Sequence, residues 1–316
     1  MSQTIISPSP YLLTLGGTGL IFQLNEFVVV KIPRDPGEPD HATEQRVSDV
    51  LEVHHPPHPN LLQSLLRVPG ATFLERLPGG DLASLLRDQQ TKDPKTQQVL
   101  AVAKVPSTDL TFHWMKELAS AAAWLEGIGL AHCDIRPPNI LLDADNHAVL
   151  CDFDRTIAIG ERLEAGMEPF ARLLGSEGGG DVGTYGKAGA RTEQFAFGSI
   201  FYSLTRGYDP YENHWFGADH DITIMDMLQK REFPPLTLSC ADTIIRQCWD
   251  ADFATIKEIE SSLLETACRG HRETKAIAWY VTRQEECKEM VRKGSLVREC
   301  HSVYIFLLPE KSLQHY

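Results

Sequence analysis

Residues 132–139 read His132-Cys133-Asp134-Ile135-Arg136-Pro137-Pro138-Asn139. An imidazole, a carboxylate, a guanidinium and an amide are crowded together, and two consecutive prolines stiffen the end of the stretch. Asp, Asn and Pro also gather in ordinary turns, because their side chains mimic or preset turn geometry. Taken alone, the octapeptide leaves a plain loop and a chemical site equally open, so its surroundings must decide.

Downstream, AVLCDFD (148–154) places Asp152 at the end of a short apolar strand. A strand end holds a carboxylate on rigid backbone while leaving it within reach of a ligand. Asn139 and Asp152 are oxygen donors of the kind Mg²⁺ takes alongside phosphate oxygens. Asp134 would stand close by, free to accept a hydroxyl proton. Upstream, Lys31 ends the strand FVVVK (27–31). It reads either as a snorkelling edge residue or as a phosphate ligand, and Glu44 on the next helix can hold its ammonium. Gly16, Gly17 and Gly19 in LGGTGL (15–20) read either as a turn or as backbone donors to a phosphate.

The rest of the chain supplies a frame. LIFQL (20–24) and FVVVKI (27–32) read as strands joined by a turn at Asn25-Glu26. Residues 42–53 put Val47, Val50 and Leu51 at helical spacing. LLQSLLRV and ATFLERL form a second expected hairpin around Pro69-Gly70, and Asp81 is an expected N-cap for a helix beginning DLASLLRD. Residues 89–109 read as a surface loop with some helix. Residues 112–130 and 195–207 read as buried helices, the second closed by Gly207, and the glycine-rich stretch 175–190 as a loop. The expected organisation is α+β with two lobes: a small β-rich part over 11–78, a larger helical part over 79–266, and an extension over 267–316. For the extension, the mixed charge of ETKAIAWYVTRQEECKEMVRKG suggests a solvated segment or a helix on the larger part. VYIFLLP (303–309) reads as a strand or buried tail.

The formal net charge of −13 argues against a general nucleic-acid binder or a partner for acidic membranes, which would need a basic face. No apolar run reaches the length of about 18 residues expected of a membrane span, and the first residues make a poor signal peptide. Seven cysteines without a Cys-x-x-Cys pair suit reduced thiols in a cytoplasmic or nuclear protein better than a disulfide framework or a zinc–thiolate site.

In this order and spacing, the motifs resemble those of the eukaryotic protein kinase family. HCDIRPPN is similar to the catalytic loop H-R-D-L-K-P-x-N, DFD (152–154) to D-F-G, VVVK to V-A-I-K, and LGGTGLIFQL to the Gly-rich loop. HPNLL (58–62), FLERLPGGDL (73–82), EQFAFGSIFYSLTRGYDPY (193–211) and Cys248-Trp249 resemble further family signatures, so that the likeness spans about 11–265. Short, divergent kinases of the fungal type come nearest.

The resemblance implies ATP and Mg²⁺ as cofactors and a protein substrate. Asp134 would accept the proton of the acceptor hydroxyl, Asn139 and Asp152 would bind Mg²⁺, and Lys31 paired to Glu44 would contact the α- and β-phosphates. Gly16, Gly17 and Gly19 would cover the phosphates. Leu74 would back the adenine site, Glu75 and Leu77 would offer it backbone groups, and Asp81 would face the ribose. Arg136 stands where Ser/Thr kinases place a Lys on the γ-phosphate, which tilts the acceptor toward Ser/Thr. Thr184 would bond the catalytic Asp.

Several positions depart from the pattern. Cys133 replaces an Arg that meets activation-loop phosphate, which implies an enzyme not switched on by that route. Asp154 replaces the Gly of D-F-G and is expected to be solvated rather than to touch a metal. Phe22 stands at the third loop Gly, A-P-E is absent, and Glu193 replaces an Asp, which is expected to weaken the scaffold of the larger lobe. Glu52 competes with Glu44 for Lys31. Two other functions stay open beside the active protein kinase: a pseudokinase scaffold, and a small-molecule phosphotransferase of the aminoglycoside or choline kinase type.

Overall fold

The computed structural model describes residues 11–15, 19–34, 39–54, 57–264 and 272–293. These fall into two compact units. Residues up to 57, 62–76 and 274–293 make the first, and residues 58–61 and 77–273 the second.

The first unit is built on a five-stranded sheet of order β1-β2-β3-β5-β4, antiparallel throughout. The strands are β1 (Tyr11–Leu15), β2 (Gly19–Gln23), β3 (Val28–Pro33), β4 (Ser64–Val68) and β5 (Ala71–Glu75). Asn25 makes the β2–β3 turn, its Oδ1 accepting the N–H groups of Phe27 at 2.8 Å and Val28 at 2.9 Å. One face of the sheet buries Leu20, Phe22, Val28, Val30, Leu65 and Phe73. Phe22, at the third loop-glycine position, is thus a core side chain with 1% of its surface exposed. Helix α1 (Pro39–Glu52) turns Val47 and Leu51 inward. Arg67 on β4 fastens it, donating to Glu52 at 2.7 and 2.8 Å and pairing with Asp49.

The second unit is largely helical. After α2 (Leu82–Arg87) comes a small hairpin, β6 (Gln90–Lys92) and β7 (Val99–Val102), where the sequence reading expected a loop with some helix. Its polar connection hides it: the Asp93 carboxylate accepts the N–H groups of Lys95 and Thr96, both at 2.9 Å, while Val99 is buried. Helix α3 (Thr108–Gly127) is capped by Ser107 and buried around most of its girth, with Trp114, Leu118, Ala119 and Ala121 at 0% exposure. A helix buried on most sides must be central. Strands β8 (Leu130–Ala131) and β11 (Ile157–Ala158) pair, as do β9 (Ile140–Leu142) and β10 (Ala148–Leu150). Helix α4 (Ala190–Arg206) ends at Gly207, which takes a φ of 80° open to glycine without strain. Helices α5 (His220–Gln229), α6 (Cys240–Asp250) and α7 (Ile256–Leu264) complete the unit. Trp249 on α6 is buried against α4, its Nε1 donating to Ser199 at 3.1 Å.

The last described helix, α8 (Ile277–Arg292), corrects an expectation. It packs on the first unit's sheet rather than on the helical part. Cys287 enters the sheet core at 0% exposure, with Trp279, Tyr280 and Met290 against the same cluster, and Arg283 lies over the Phe27 ring at 4.5 Å. The apolar stripe at 279, 280, 287 and 290 is what the charged residues between obscured. Residues 303–309 lie outside the described residues. Cys287→Ser puts an unpartnered hydroxyl in this core and lowers stability by about 1–3 kcal/mol in denaturant titration. Among the described residues no helix is long and apolar enough to cross a membrane.

Candidate active site

In the second unit the site is assembled from the ends of short strands. Ile140 pairs with Leu150 across β9–β10, so Asn139 and Asp152 emerge from adjacent strand ends. The Cys151 N–H donates to the Asn139 carbonyl at 3.0 Å, closing that end. Residues 58–61 brace β10 from the other side. The Leu150 N–H donates to the Asn60 carbonyl at 2.9 Å, and the buried Asn60 amide donates to the Ala148 carbonyl at 2.8 Å. Gly79 crosses close above β9, where a Cβ would stand 2.7 Å from that of Leu142, so only glycine fits there.

Asp134, Arg136 and Asn139 form one cluster. Arg136 Nε donates to both carboxylate oxygens of Asp134 at 3.0 Å, leaving its Nη groups outside those bonds. Asn139, 4% exposed, directs its amide nitrogen at the Asp134 carbonyl (2.9 Å) and Oδ2 (2.7 Å). With the nitrogen so engaged, Oδ1 is the atom left for a hard cation. Asp152 takes a φ of 69° and a ψ of 76°, a left-handed conformation that non-glycine residues adopt under constraint.

Beneath the cluster lies His132, fully buried. Its Nε2 donates to the Cys151 carbonyl at 3.1 Å and its Nδ1 accepts the Asp134 N–H at 3.3 Å, which fixes a neutral tautomer. Burial pushes the imidazole below its ordinary range, in keeping with that tautomer. Glu193, in the first turns of α4, reaches up to the same loop. Its two oxygens accept the N–H groups of His132 at 3.0 Å and Cys133 at 3.1 Å. Cys133 has a φ of 64°, and the Glu193 clamp is what holds it there. Glu193 therefore anchors the loop, where its substitution for Asp had suggested a weakened scaffold. Burial raises its carboxyl to about 7, and the two N–H groups oppose the rise. The Cys133 thiol is also pushed up by burial and stays neutral.

In the first unit, Lys31 Nζ lies 2.8 Å from Glu44 Oε1, both residues 8% exposed. Glu52 is occupied by Arg67 and Ser64, so Glu44 and not Glu52 meets Lys31. Gly19 sits tight against this strand, and a Cβ there would approach the Ile32 carbonyl to 2.9 Å and Lys31 Cγ to 3.2 Å.

The profile of the protein tyrosine and serine/threonine kinase family matches residues 23–261. The chain belongs to this protein kinase family. Among curated proteins it is similar to 3-phosphoinositide-dependent protein kinase B of Dictyostelium discoideum, 28% identical over 200 residues, which is 60% of this chain and 20% of that protein. The dual specificity protein kinase shkC of the same organism is 23% identical over 216 residues, 65% of this chain and 40% of the relative. Probable serine/threonine-protein kinase KKQ8 of Candida glabrata is 25% identical over 228 residues, covering 66% and 29%. The matches thus span between a fifth and two fifths of these relatives' own length.

The kinase expectations for individual residues meet mixed surroundings. Glu75 is buried and its side chain pairs with Lys275. Leu77 is buried as well, and Leu74 partly so. Asp81 caps α2: both its oxygens accept from Ser84, N–H and hydroxyl, at 2.8 Å, so a ribose would compete with the cap. Gly16 and Gly17 lie outside the described residues. Thr184 does not reach Asp134. Its hydroxyl donates to the Asp181 carbonyl at 2.9 Å and accepts the Gly186 N–H at 3.0 Å, a local turn that the glycines around it permit. Asp154 is 6% exposed, not solvated, because the single 3-10 turn Phe153–Arg155 folds it inward. The Glu193 clamp has one sequence signal, a carboxylate in the first turn of an apolar helix.

Proposed function

We propose that the protein is an ATP-dependent protein kinase that transfers the γ-phosphate to a Ser or Thr hydroxyl of a protein substrate. The observation that carries this reading is the Asp134–Arg136–Asn139 cluster, in which one carboxylate is oriented by two donors beside a strand-end Asp152. Asp134 accepts the proton of the incoming hydroxyl while Arg136 and Asn139 keep the carboxylate aimed. Arg136 steadies Asp134 through Nε, and its Nη groups, outside those bonds, would serve the phosphate. That division of one guanidinium between two tasks is open to Arg and closed to Lys.

Asn139 and Asp152 are the residues that would hold Mg²⁺, an amide oxygen and a carboxylate in keeping with its preference for a few protein oxygens plus phosphate. The ion, when bound, neutralises charge on the phosphates. Lys31, held by Glu44, serves the α- and β-phosphates. Cys133 brings no positive charge to the loop, so activation does not run through a phosphate paired at that position. The five described cysteines are free thiols, in keeping with the cytosol or nucleus.

Lys31→Ala removes one charged donor from the phosphates and lowers kcat/KM for ATP by about 100- to 1,000-fold in initial-rate measurements. Unchanged kinetics would remove Lys31 from the site. Phosphoamino-acid analysis of a labelled protein product tests the acceptor: phosphoserine or phosphothreonine is expected, and phosphotyrosine alone would overturn that part.

A further inference from the structure

Away from Asp134, the hairpin tip between β9 and β10 meets α3, and three donor atoms converge there. His113 and Glu117 lie one turn apart on α3 and share a face. Both are buried, at 3% and 4% exposure. His147 enters from the hairpin, its side chain 18% exposed. His113 Nε2 stands 3.2 Å from His147 Nδ1 and 3.5 Å from Glu117 Oε1, and the third edge, His147 Nδ1 to Glu117 Oε1, is 2.6 Å. A tetrahedral ion with ligands at about 2.0–2.1 Å holds their donor atoms roughly 3.3 Å apart. Two edges of the triangle already have that length. The third is a hydrogen bond that lengthens by about 0.7 Å when an ion replaces its proton.

The donors are oriented by groups outside the triangle. The Asn146 carbonyl accepts the Trp114 indole N–H at 2.7 Å, and Asn146 itself is left-handed, with a φ of 63°. The His147 N–H donates to Asp143 Oδ1 at 2.9 Å. The second oxygen of Glu117 accepts the Ala148 N–H at 2.8 Å, which leaves Oε1 facing the two imidazoles. Outer partners of this kind fix ring and carboxylate orientation in metal centres. Two imidazoles and one carboxylate select a borderline transition ion over Mg²⁺ or Ca²⁺, which take oxygen ligands.

We propose that His113, Glu117 and His147 form a site for Zn²⁺ or a similar transition-metal ion, with solvent in the fourth position on the His147 side. The ion ties the tip of the β9–β10 hairpin to α3. The other end of that hairpin carries Asn139 and Asp152, so the site braces the Mg²⁺ ligands without sharing them.

The test is a Co²⁺ titration of the full chain after stripping with a chelator. The expected result is the intense visible absorption of four-coordinate Co²⁺ on nitrogen and oxygen ligands, saturating at one ion per chain and displaced by Zn²⁺. His147→Gln, at the open edge of the cluster, removes this absorption and weakens Zn²⁺ binding by more than the about 10- to 100-fold that outer partners command. Asp152→Asn leaves it unchanged. Zn²⁺ also raises the melting temperature of the parent chain and not that of His147→Gln. His113→Gln, checked for native circular dichroism, repeats the loss. No absorption, absorption that survives in His147→Gln, or thiolate charge-transfer bands from a cysteine site would each overturn the proposal.

Discussion

Asp134→Asn lowers phosphoryl transfer to a protein hydroxyl by about 100- to 10,000-fold, the span that a positioned general base commands. The isosteric amide has almost no basicity, and it also turns a donor toward Arg136 Nε or Asn139 Nδ2, which both point at the native carboxylate. Nucleotide affinity changes little, because Lys31 and Asp152 are untouched and Asn139 keeps its bond to the backbone carbonyl of residue 134. The fall therefore belongs to kcat and not to KM for ATP, and single-turnover kinetics with saturating ATP reads it directly. A variant with full turnover would mean that Asp134 is not the base. A variant that loses nucleotide as well would mean that Asp134 is a binding group.

Glu193→Ala gives the largest expected loss of stability. It strips the acceptor from two N–H groups in succession, the buried one of His132 and the half-buried one of Cys133. Leaving each unpaired costs about 1–3 kcal/mol, so the loss is about 2–6 kcal/mol in denaturant titration. Cys133 then loses what holds its left-handed backbone, and Asp134, the next residue, loses its aim.

The same carboxyl carries a pH signature. Its folded value of about 7 lies above the ordinary 4.5, because of burial. Between those values the folded chain binds a proton that the unfolded chain releases, so stability falls as pH rises across the window and levels off above it. The difference is on the order of 3 kcal/mol. A neutral carboxyl still accepts both N–H groups, through its carbonyl oxygen and a hydroxyl lone pair. Glu193→Gln has no proton to lose, so subtracting its stability from that of the parent at each pH from about 4 to 8 isolates this slope. A flat difference would show that burial does not raise the Glu193 carboxyl above its unfolded value.

Much of this was legible in the chain. Asn25 and Pro69-Gly70 announce the two hairpins of the sheet through ordinary turn chemistry, and the order of His132, Asp134, Asn139 and Asp152 announces the family. What stayed hidden depends on distance or on backbone angle. The left-handed angles at Cys133 and Asp152 have no residue-type signal, since neither is glycine. Glu193 is far along the chain from the N–H groups it binds, and His147 from His113. Helix α8 shows an apolar stripe in sequence, but a stripe does not say which partner it covers. For Thr184 the sequence offers only motif order, and a local turn through Asp181 and Gly186 takes its hydroxyl instead.

The central claim, phosphoryl transfer to protein Ser or Thr by this site, is tested most directly by incubating the purified chain with γ-labelled ATP, Mg²⁺ and a generic Ser/Thr protein acceptor, with Asp134→Asn in parallel. The account predicts label on phosphoserine or phosphothreonine in the parent reaction and its near-complete loss in the variant. Nucleotide binding without transfer to any protein acceptor, or label passing only to a small amine-bearing acceptor, would contradict it.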